Sequence, residues 1–179
     1  MNLYFRLVLL YFLSWFKPRV SFIDLVSSNK WVLLNDIDIF NHMNNGRYFT
    51  IADLARAEIL VRSGMWQQLK KRKMVPIMAG ETVQFRKPLP TFARYQVNTR
   101  TIGWDDKFFY VEHEFTSKKG VHALMIIKVR VIAKNSDDRM KPIDIIKLVD
   151  DRELPEEKMD QVIRHWNESS HEHWQQVEG

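Results

Sequence analysis

The stretch Asn35-Asp-Ile-Asp-Ile-Phe-Asn-His-Met-Asn-Asn-Gly-Arg-Tyr48 runs directly into a helix-like segment over residues 49–62. It holds two carboxylates, one histidine and four asparagines. The start of a helix offers unpaired backbone N–H groups to a partly negative ligand atom, and a carboxylate just before it can act as a base beside the same atom. The alternative is a polar loop of Asx turns that ends in an N-cap. The residues by themselves leave both interpretations open.

The segment that follows predicts a buried helix. Residues 46–63 are apolar on nearly every side, which is typical of a helix surrounded by protein. Ser63 and Gly64 supply a C-terminal signal at its end. A short strand is expected over residues 31–34, before the polar stretch, and a more polar helical or irregular piece over residues 65–73, after it.

Beyond Pro76 the apolar residues change from a helical period to a period of two. The alternation predicts four strands, joined by short turns that favour an antiparallel meander, over residues 81–87, 95–101, 109–115 and 121–133. A sheet that curls around the buried helix is the most economical arrangement, so the predicted fold class is α+β. The helix surface that stays apolar predicts that the sheets of two subunits join or pack together.

The N-terminal segment, residues 3–16, is strongly apolar but short. Crossing a bilayer takes about 20 residues, and no small-residue cleavage site follows, so neither a transmembrane helix nor a secretory signal is predicted. On a helical wheel Arg6 and Ser14 share one side, opposite a broad apolar face, and the basic residues Lys17 and Arg19 follow. This pattern is typical of a helix that lies on a membrane interface, or that packs against the body or a partner subunit. Both interpretations stay open.

A C-terminal helix is predicted to begin at Pro155, with Glu156 and Glu157 in its first turn. Its apolar positions, at i, i+3, i+4 and i+7, are Met159, Val162, Ile163 and Trp166. The tail from Asn167 is polar and is expected to fray. No repeat or linker is found, so one domain is expected. We divide the chain into an apolar N-terminal segment (1–19), the main domain (20–153) and the C-terminal helix with its tail (154–179).

Composition narrows the function. The chain has no cysteine, which removes disulfides, thiolate metal sites and a cysteine nucleophile. Its net charge is +5, but the basic residues are scattered and no nucleic-acid motif accompanies them, so no nucleic-acid partner is expected. A mild positive field suits an anionic small molecule or an anionic membrane surface. We expect no metal and no cofactor, and a cytoplasmic location, with peripheral membrane contact through residues 1–17 if that segment is interfacial.

Two motifs carry a family resemblance. The run from Asp36 to Tyr48, with the pattern D-x-D followed by H-M-N-N, and the downstream Ala52-Asp-Leu-Ala-Arg56 resemble the hotdog-fold acyl-CoA thioesterases. The likeness is strongest to the 4-hydroxybenzoyl-CoA thioesterase-like branch and its thioesterase superfamily member six-like subgroup, and it covers residues 30–134. It implies a hotdog fold, in which a curved antiparallel sheet wraps around a central apolar helix. It also implies hydrolysis of an acyl-CoA or other acyl thioester by a homodimer or homotetramer.

The resemblance implies roles for three residues of the loop. In that family a carboxylate before the central helix attacks the thioester carbonyl or activates water, and this position falls on Asp38. A backbone amide at the helix start polarises the thioester oxygen, and this position falls on Asn45, where helix N–H groups can stabilise an oxyanion. His42 either orients Asp38 or a water, or makes a backbone hydrogen bond. Substrate contacts are expected from Tyr48, Arg86 and Lys87, the two cations facing the CoA phosphates.

Three acidic or basic residues of the motifs are given structural roles. Asp36 is expected to be structural. Asp53 would be buried on an apolar helix and should therefore have a partner. Arg56 lies three residues further along and allows a helical ion pair.

One position departs from the pattern of several relatives. They have a water-positioning asparagine two residues after the catalytic aspartate, where this chain has Phe40, and Asn41 comes one place late. A phenyl ring cannot hold water by hydrogen bonding, so Asp38 acting alone, as nucleophile or general base, is the predicted mechanism. Phe40 and the apolar N-terminus support the alternative of a non-catalytic acyl-chain-binding or membrane-docked scaffold. A hotdog dehydratase fits less well, because it pairs its histidine and acid differently.

Overall fold

In the residues that the structure describes, five strands form one antiparallel sheet against a long central helix. The structure, a computed structural model, describes residues 3–133, 140–155 and 158–178, and the side chains of residues 5–170 within these ranges. The helices are α1 (Leu3–Ser14), α2 (Asn45–Arg62), α3 (Met65–Lys71), α4 (Pro142–Ile146) and α5 (Gln161–Glu178). The strands are β1 (Val26–Trp31), β2 (Met74–Phe85), β3 (Arg94–Trp104), β4 (Phe109–Ser117) and β5 (Gly120–Ala133), and a 3₁₀ turn spans Leu34–Asp36. The α+β class is confirmed.

The sheet has the order β1-β3-β4-β5-β2 with every pair antiparallel. Strands β3, β4 and β5 form the predicted meander. The prediction was wrong for β2, which pairs with β5, so that Phe85 lies opposite Ala123 and Met74 opposite Ala133. In a simple meander β2 would pair with β3, but here β1 pairs with that edge of β3. The chain after β2 therefore crosses the end of the sheet instead of turning in a hairpin.

The first strand lies earlier than its apolar residues suggested. It covers Val26–Trp31 rather than residues 31–34. One of its inward positions is Ser28, whose hydroxyl donates to Glu58 Oε2 at 2.9 Å. A small polar residue that points inward hides the period-two pattern, because the pattern is recognised by apolar side chains.

The second strand is longer than predicted and begins at Met74 instead of residue 81. Its register with β5 shifts between Met78 and Gly80. Such an irregularity adds a residue to one strand and interrupts the alternation, so the sequence shows only the part after it.

The central helix ends where the sequence predicts. The Asn44 side chain caps its start by accepting from the Gly46 N–H at 2.9 Å. Ser63 caps its end, and Gly64 follows at φ +81°, a backbone conformation that glycine adopts without strain. The buried side of α2 packs on the sheet in the main core, formed by Val32, Met43, Tyr48, Ile51, Ala52, Ala55, Leu89, Tyr95, Val97, Phe115, Ala123, Met125 and Ile127.

The C-terminal helix starts later than predicted, because the chain first pairs with the end of β3. Lys158 and Trp104 exchange two backbone hydrogen bonds of 2.7 and 2.9 Å. Gly103 permits this approach, since a Cβ there would collide with the Lys158 carbonyl oxygen. Helix α5 begins only at Gln161.

Two further predictions for the C-terminal helix were wrong. Met159 does not lie on α5, and the tail from Asn167 continues as helix to Glu178 instead of fraying. Glu156 and Glu157, expected in the first turn, lie outside the described residues. The short helix α4 was not predicted; its Ile143, Ile145 and Ile146 join a second core under α3 and β3–β4.

The N-terminal helix α1 packs along α2 with its polar side inward. Arg6 and Ser14 are largely or fully buried, whereas Phe12 and Trp15 are exposed. The helix thus packs against the body, as one of the open interpretations allows, but through the side that carries Arg6 and Ser14, and much of its apolar face stays exposed. Within the described residues, no helix is long and apolar enough to cross a bilayer.

Candidate active site

The predicted catalytic aspartate sits in a tight turn between the 3₁₀ turn and α2. The Asp38 N–H donates to the His42 carbonyl at 3.0 Å, and the Asn41 N–H donates back to the Asp38 carbonyl at 3.2 Å. Asn41 has a φ of 60°, which asparagine tolerates better than most residues. Asp38 Oδ1 accepts the Phe40 N–H at 2.8 Å in an Asx turn. The turn interpretation is thus present, and it leaves the second carboxylate oxygen available.

That second oxygen faces the histidine of the motif. Asp38 Oδ2 lies 3.5 Å from His42 Nδ1, and the Asp38 side chain is 22% exposed. The His42 ring also stacks on Phe40, with ring centroids 5.9 Å apart. Phe40 itself is exposed, so the second position after Asp38 offers an apolar ring to solvent.

Asp36, two residues earlier, has a very different environment. Its carboxylate is fully buried and accepts hydrogen bonds from Arg6 Nη2 at 2.8 and 3.0 Å, from Arg47 at 2.8 and 3.0 Å, and from the Leu33 N–H at 3.1 Å. Burial by itself would raise the pKa of Asp36, but the hydrogen bonds from both guanidinium groups and the backbone outweigh it and lower that pKa. Asp36 is therefore an ionised anchor that holds the loop, as its predicted structural role requires.

The start of α2 presents a free donor toward the loop. The Asn44 side chain takes the Gly46 N–H, and the Asn44 carbonyl takes the Arg47 N–H at 2.9 Å. The Asn45 N–H has no acceptor among the described residues. First-turn N–H groups lack partners within the helix, so this one can bind a partly negative oxygen.

Five of the six predicted site residues line one cleft of about 290 Å³, namely His42, Asn45, Tyr48, Arg86 and Lys87. The sixth, Asp38, does not line this cleft and borders it through His42. Lys87 Nζ donates to the Lys119 carbonyl at 3.0 Å, while the Arg86 side chain is exposed. The cleft therefore has one backbone N–H donor at the helix start and a cationic rim.

Tyr48 belongs to the core more than to the cleft. Its ring packs edge to face on Phe85 and Phe115, with centroids 5.1 and 4.9 Å apart, and it is almost fully buried. Burial raises the pKa of Tyr48 to about 12, and a backbone hydrogen bond from Leu89 offsets part of this effect. Tyr48 therefore stays neutral and gives the cleft a rigid wall.

A second group of ionisable residues lies further along α2. Arg56 forms the predicted ion pair with Asp53 and also donates to His113 Nε2 at 3.4 Å. The expectation that Asp53 is buried was wrong: its side chain is 49% exposed, and Arg56 is the buried partner. Burial, and then the Arg56 charge, lower the pKa of His113 to about 3. The neutral ring accepts from Arg56 at Nε2, so its Nδ1–H donates to Thr99 Oγ1 at 2.8 Å.

This group borders an apolar pocket of about 320 Å³ between α2 and the sheet. Apart from Asp53, Arg56 and Thr101, its wall consists of apolar side chains, among them Ala57, Leu60, Met78, Phe109 and Val129. From the sequence, His113 was predicted only as part of the strand over residues 109–115. A histidine on the inward side of an alternating strand does carry a signal, because a polar group facing a core needs a partner.

Comparison with known proteins identifies the family. Residues 32–167 match the thioesterase-like superfamily. The chain belongs to this superfamily. It is 37% identical over 144 residues to protein THEM6 of Xenopus laevis, covering 78% of this chain and 67% of that protein. It is 30% identical to protein THEM6 of Danio rerio, covering 75% of this chain and 65% of that protein. The chain thus spans about two thirds of the length of these relatives.

Solved structures agree on the fold. The YbaW probable thioesterase from Escherichia coli superposes with a TM-score of 0.63 at 17% identity, covering 68% of this chain and 93% of that one. The 1,4-dihydroxy-2-naphthoyl-CoA thioesterase Slr0204 from Synechocystis superposes with a TM-score of 0.61 at 12% identity, covering 70% of this chain and 95% of that one. The superfamily member thus has the hotdog fold that its motifs implied.

Proposed function

We propose that this member of the thioesterase-like superfamily hydrolyses an acyl-CoA thioester to the free acid and CoA. The observation that carries the proposal is the cleft at the start of α2. It combines a histidine, a backbone N–H without an acceptor among the described residues and a rim of cations, and the Asp38 carboxylate lies at its border beside that histidine. The thioesterase names of the structural neighbours and of a yeast relative support the reaction class.

Asp38 can act in two ways. As a general base, it takes a proton from water while the oxygen of that water attacks the thioester carbonyl. As a nucleophile, it attacks the carbonyl itself, and water then hydrolyses the resulting acid anhydride. In both routes the C–S bond breaks, the sulfur leaves as thiolate and takes up a proton, and the acid is released. Oδ2 of Asp38, which lies beside His42 and outside the Asx turn, supports either role.

The Asn45 N–H is the proposed oxyanion donor. When the carbonyl is attacked, its oxygen gains negative charge, and a fixed N–H at a helix start stabilises this charge without reorganising. His42 orients Asp38 or the attacking water. Arg86 and Lys87 line the rim, and we propose that their charges attract CoA phosphates.

The apolar pocket beside Arg56 is the proposed site of the acyl chain. Its apolar wall suits a hydrocarbon, and a larger side chain there should exclude long chains. Ala57→Phe should shift the preference toward shorter acyl-CoAs by about tenfold in kcat/KM, in line with the discrimination that a hydrophobic pocket provides. Val162→Phe, on the exposed side of α5, is the matched control and should leave the preference unchanged.

We also propose that the protein is a homodimer or homotetramer that joins through β2. Strand β2 is an edge of the sheet and exposes Ile77 and Met78. An apolar edge strand is a ready site for pairing with a second copy. Ile77→Lys should lower the mass measured by light scattering, and an unchanged mass would exclude this edge as the interface.

The test of the function is turnover of a panel of acyl-CoAs by the purified full-length protein, with thiol release followed. Asp38→Asn, purified identically, controls for a contaminating hydrolase. Hydrolysis that depends on Asp38 supports the proposal. Tight acyl-CoA binding without thiol release would instead favour the non-catalytic acyl-chain-binding scaffold.

A further inference from the structure

Helix α1 is held against the body through its polar side. Arg6 reaches the buried Asp36, and just after the helix Lys17 Nζ donates to the buried Glu58 Oε1 at 2.8 Å. The Pro18 carbonyl accepts from Arg62 Nε at 3.1 Å. The segment is thus attached near both of its ends, at the polar loop and at the C-terminal part of α2.

These contacts set which side of α1 faces outward. Burial by itself would raise the pKa of Glu58, but hydrogen bonds from Lys17 and Ser28 outweigh it and lower that pKa. Glu58 and Asp36 are therefore buried and charged. Rotating the apolar side of α1 inward would remove Arg6 from Asp36, which would keep only Arg47, and breaking a buried ion pair by removing one partner is destabilising. The apolar side is consequently directed away from the body.

The outward side carries a continuous set of large apolar residues. Val8 is 70% exposed, Phe12 57% and Trp15 81%. The same side of the segment includes Phe5, Leu9, Tyr11, Leu13 and Phe16, all exposed. Monomeric soluble proteins rarely leave such a patch in water, so it marks an interaction surface.

Length and charge indicate what covers this patch. A helix of 12 residues is about 18 Å long, against about 30 Å for the hydrocarbon core of a bilayer, so it can lie on a membrane but cannot cross one. It carries no acid, and the exposed Arg19 follows it. Trp15 and Tyr11 are residue types enriched at the membrane–water interface. In a second copy docked through this face Arg19 would approach the Arg19 of its partner, whereas an anionic surface complements this charge.

We infer that α1 docks the protein on an anionic lipid surface, with its apolar side in the interface and its polar side on the protein body. This inference is independent of the proposed hydrolysis. It also places the loop of Asp38 near the lipid, because Arg6 binds Asp36 directly before that loop.

Flotation of the full-length protein with vesicles tests the inference. Binding is expected to vesicles that contain phosphatidylglycerol in phosphatidylcholine, and less to phosphatidylcholine alone. High salt should weaken it, because the charge contribution is screened. Recovery of the protein free of phosphatidylglycerol vesicles at low salt would overturn the inference.

Two variants connect binding to this face. Val8→Glu combined with Phe12→Glu should reduce vesicle binding at least tenfold and keep the circular dichroism spectrum and Tm, since both side chains point into solvent. Val162→Glu, at a position 60% exposed on α5, is the matched control and should bind as the wild type does. Equal binding by the double variant would overturn the inference. A third outcome is that the wild type binds no vesicles and the double variant has a lower oligomer mass than the wild type. That outcome would overturn the inference and assign the face to a second copy of the chain.

Discussion

Asp36 and Asp38 stand two residues apart, in regions with opposite properties. The carboxylate of Asp36 is fully buried, and both of its oxygens accept hydrogen bonds, from two guanidinium groups and a backbone N–H. The region of Asp38 is partly open, with one oxygen in a turn and the other beside His42 at the edge of a cleft. A carboxylate whose lone pairs are all taken can fix a loop but is a poor proton acceptor near neutral pH. A carboxylate with one oxygen to spare can do chemistry.

The largest effect that this comparison predicts is on activity. Asp38→Asn should lower kcat for thiol release by about 100-fold or more, as removal of a positioned acid–base group does. Its Tm should stay close to wild type, because the amide oxygen still accepts the Phe40 N–H. Asp106→Asn, at an exposed turn, is the control and should keep full activity. Near wild-type turnover by the Asp38→Asn variant would remove Asp38 from the mechanism.

The next effect concerns the donor that faces the loop. Asn45→Pro deletes the N–H, and the first helical position tolerates proline. Asn44 has φ −60° and ψ 138°, a conformation suited to a residue before proline, so the fold should be kept. We expect kcat to fall by about 100-fold, the usual consequence of losing one oxyanion donor. Asn45→Ala retains the N–H and is the control, which should stay active. If Asn45→Pro were as active as Asn45→Ala, the oxyanion would have to bind elsewhere.

Asp36→Asn should affect stability more than chemistry. Removing one member of a buried ion pair costs about 3 kcal/mol, measured as the free energy of unfolding in urea. The loss should also move the loop and lower activity, but less than Asp38→Asn does. If the Asp36→Asn variant were as stable as wild type, the anchor role of Asp36 would be wrong.

The pH dependence of stability gives Asp36 a separate signature. Its folded-state pKa is lowered, so its contribution is fully present above about pH 5 and is lost as the pH falls through its unfolded value near 3.9 toward the lower folded one. Below about pH 5 the wild type should therefore lose stability more steeply than Asp36→Asn. Parallel curves of unfolding free energy against pH would contradict this.

The smallest effect is expected for His42. Its ring touches Asp38 Oδ2 and Phe40, but the turn is held by its backbone carbonyl, which a substitution keeps. His42→Ala should reduce kcat severalfold and leave the Tm nearly unchanged. A loss as large as that of Asp38→Asn would show that the two residues act as one unit.

The local features of the site could be predicted because their signals are local. Asn44, Asn45 and Gly46 lie next to each other, and a capping side chain before an apolar run marks a helix start whatever surrounds it. The end of α2 at Ser63 and Gly64 has the same character. The motif placed Asp38, His42 and Asn45 close together simply because few residues separate them.

The tertiary structure decided everything that depends on distant partners. Arg6 meets Asp36 across 30 positions, and Arg56 meets His113 across 57. The pairing of β2 with β5 depends on β1 having taken the edge of β3.

By itself, the sequence determined the α+β class, the central helix with both of its ends and the loop that carries the motif, since each follows from neighbouring residues. It could show that α1 has an apolar and a polar side, but not which one faces the body. Only the folded chain brings Asp36 and Glu58 to Arg6 and Lys17, and the cost of breaking these buried ion pairs then directs the apolar side outward.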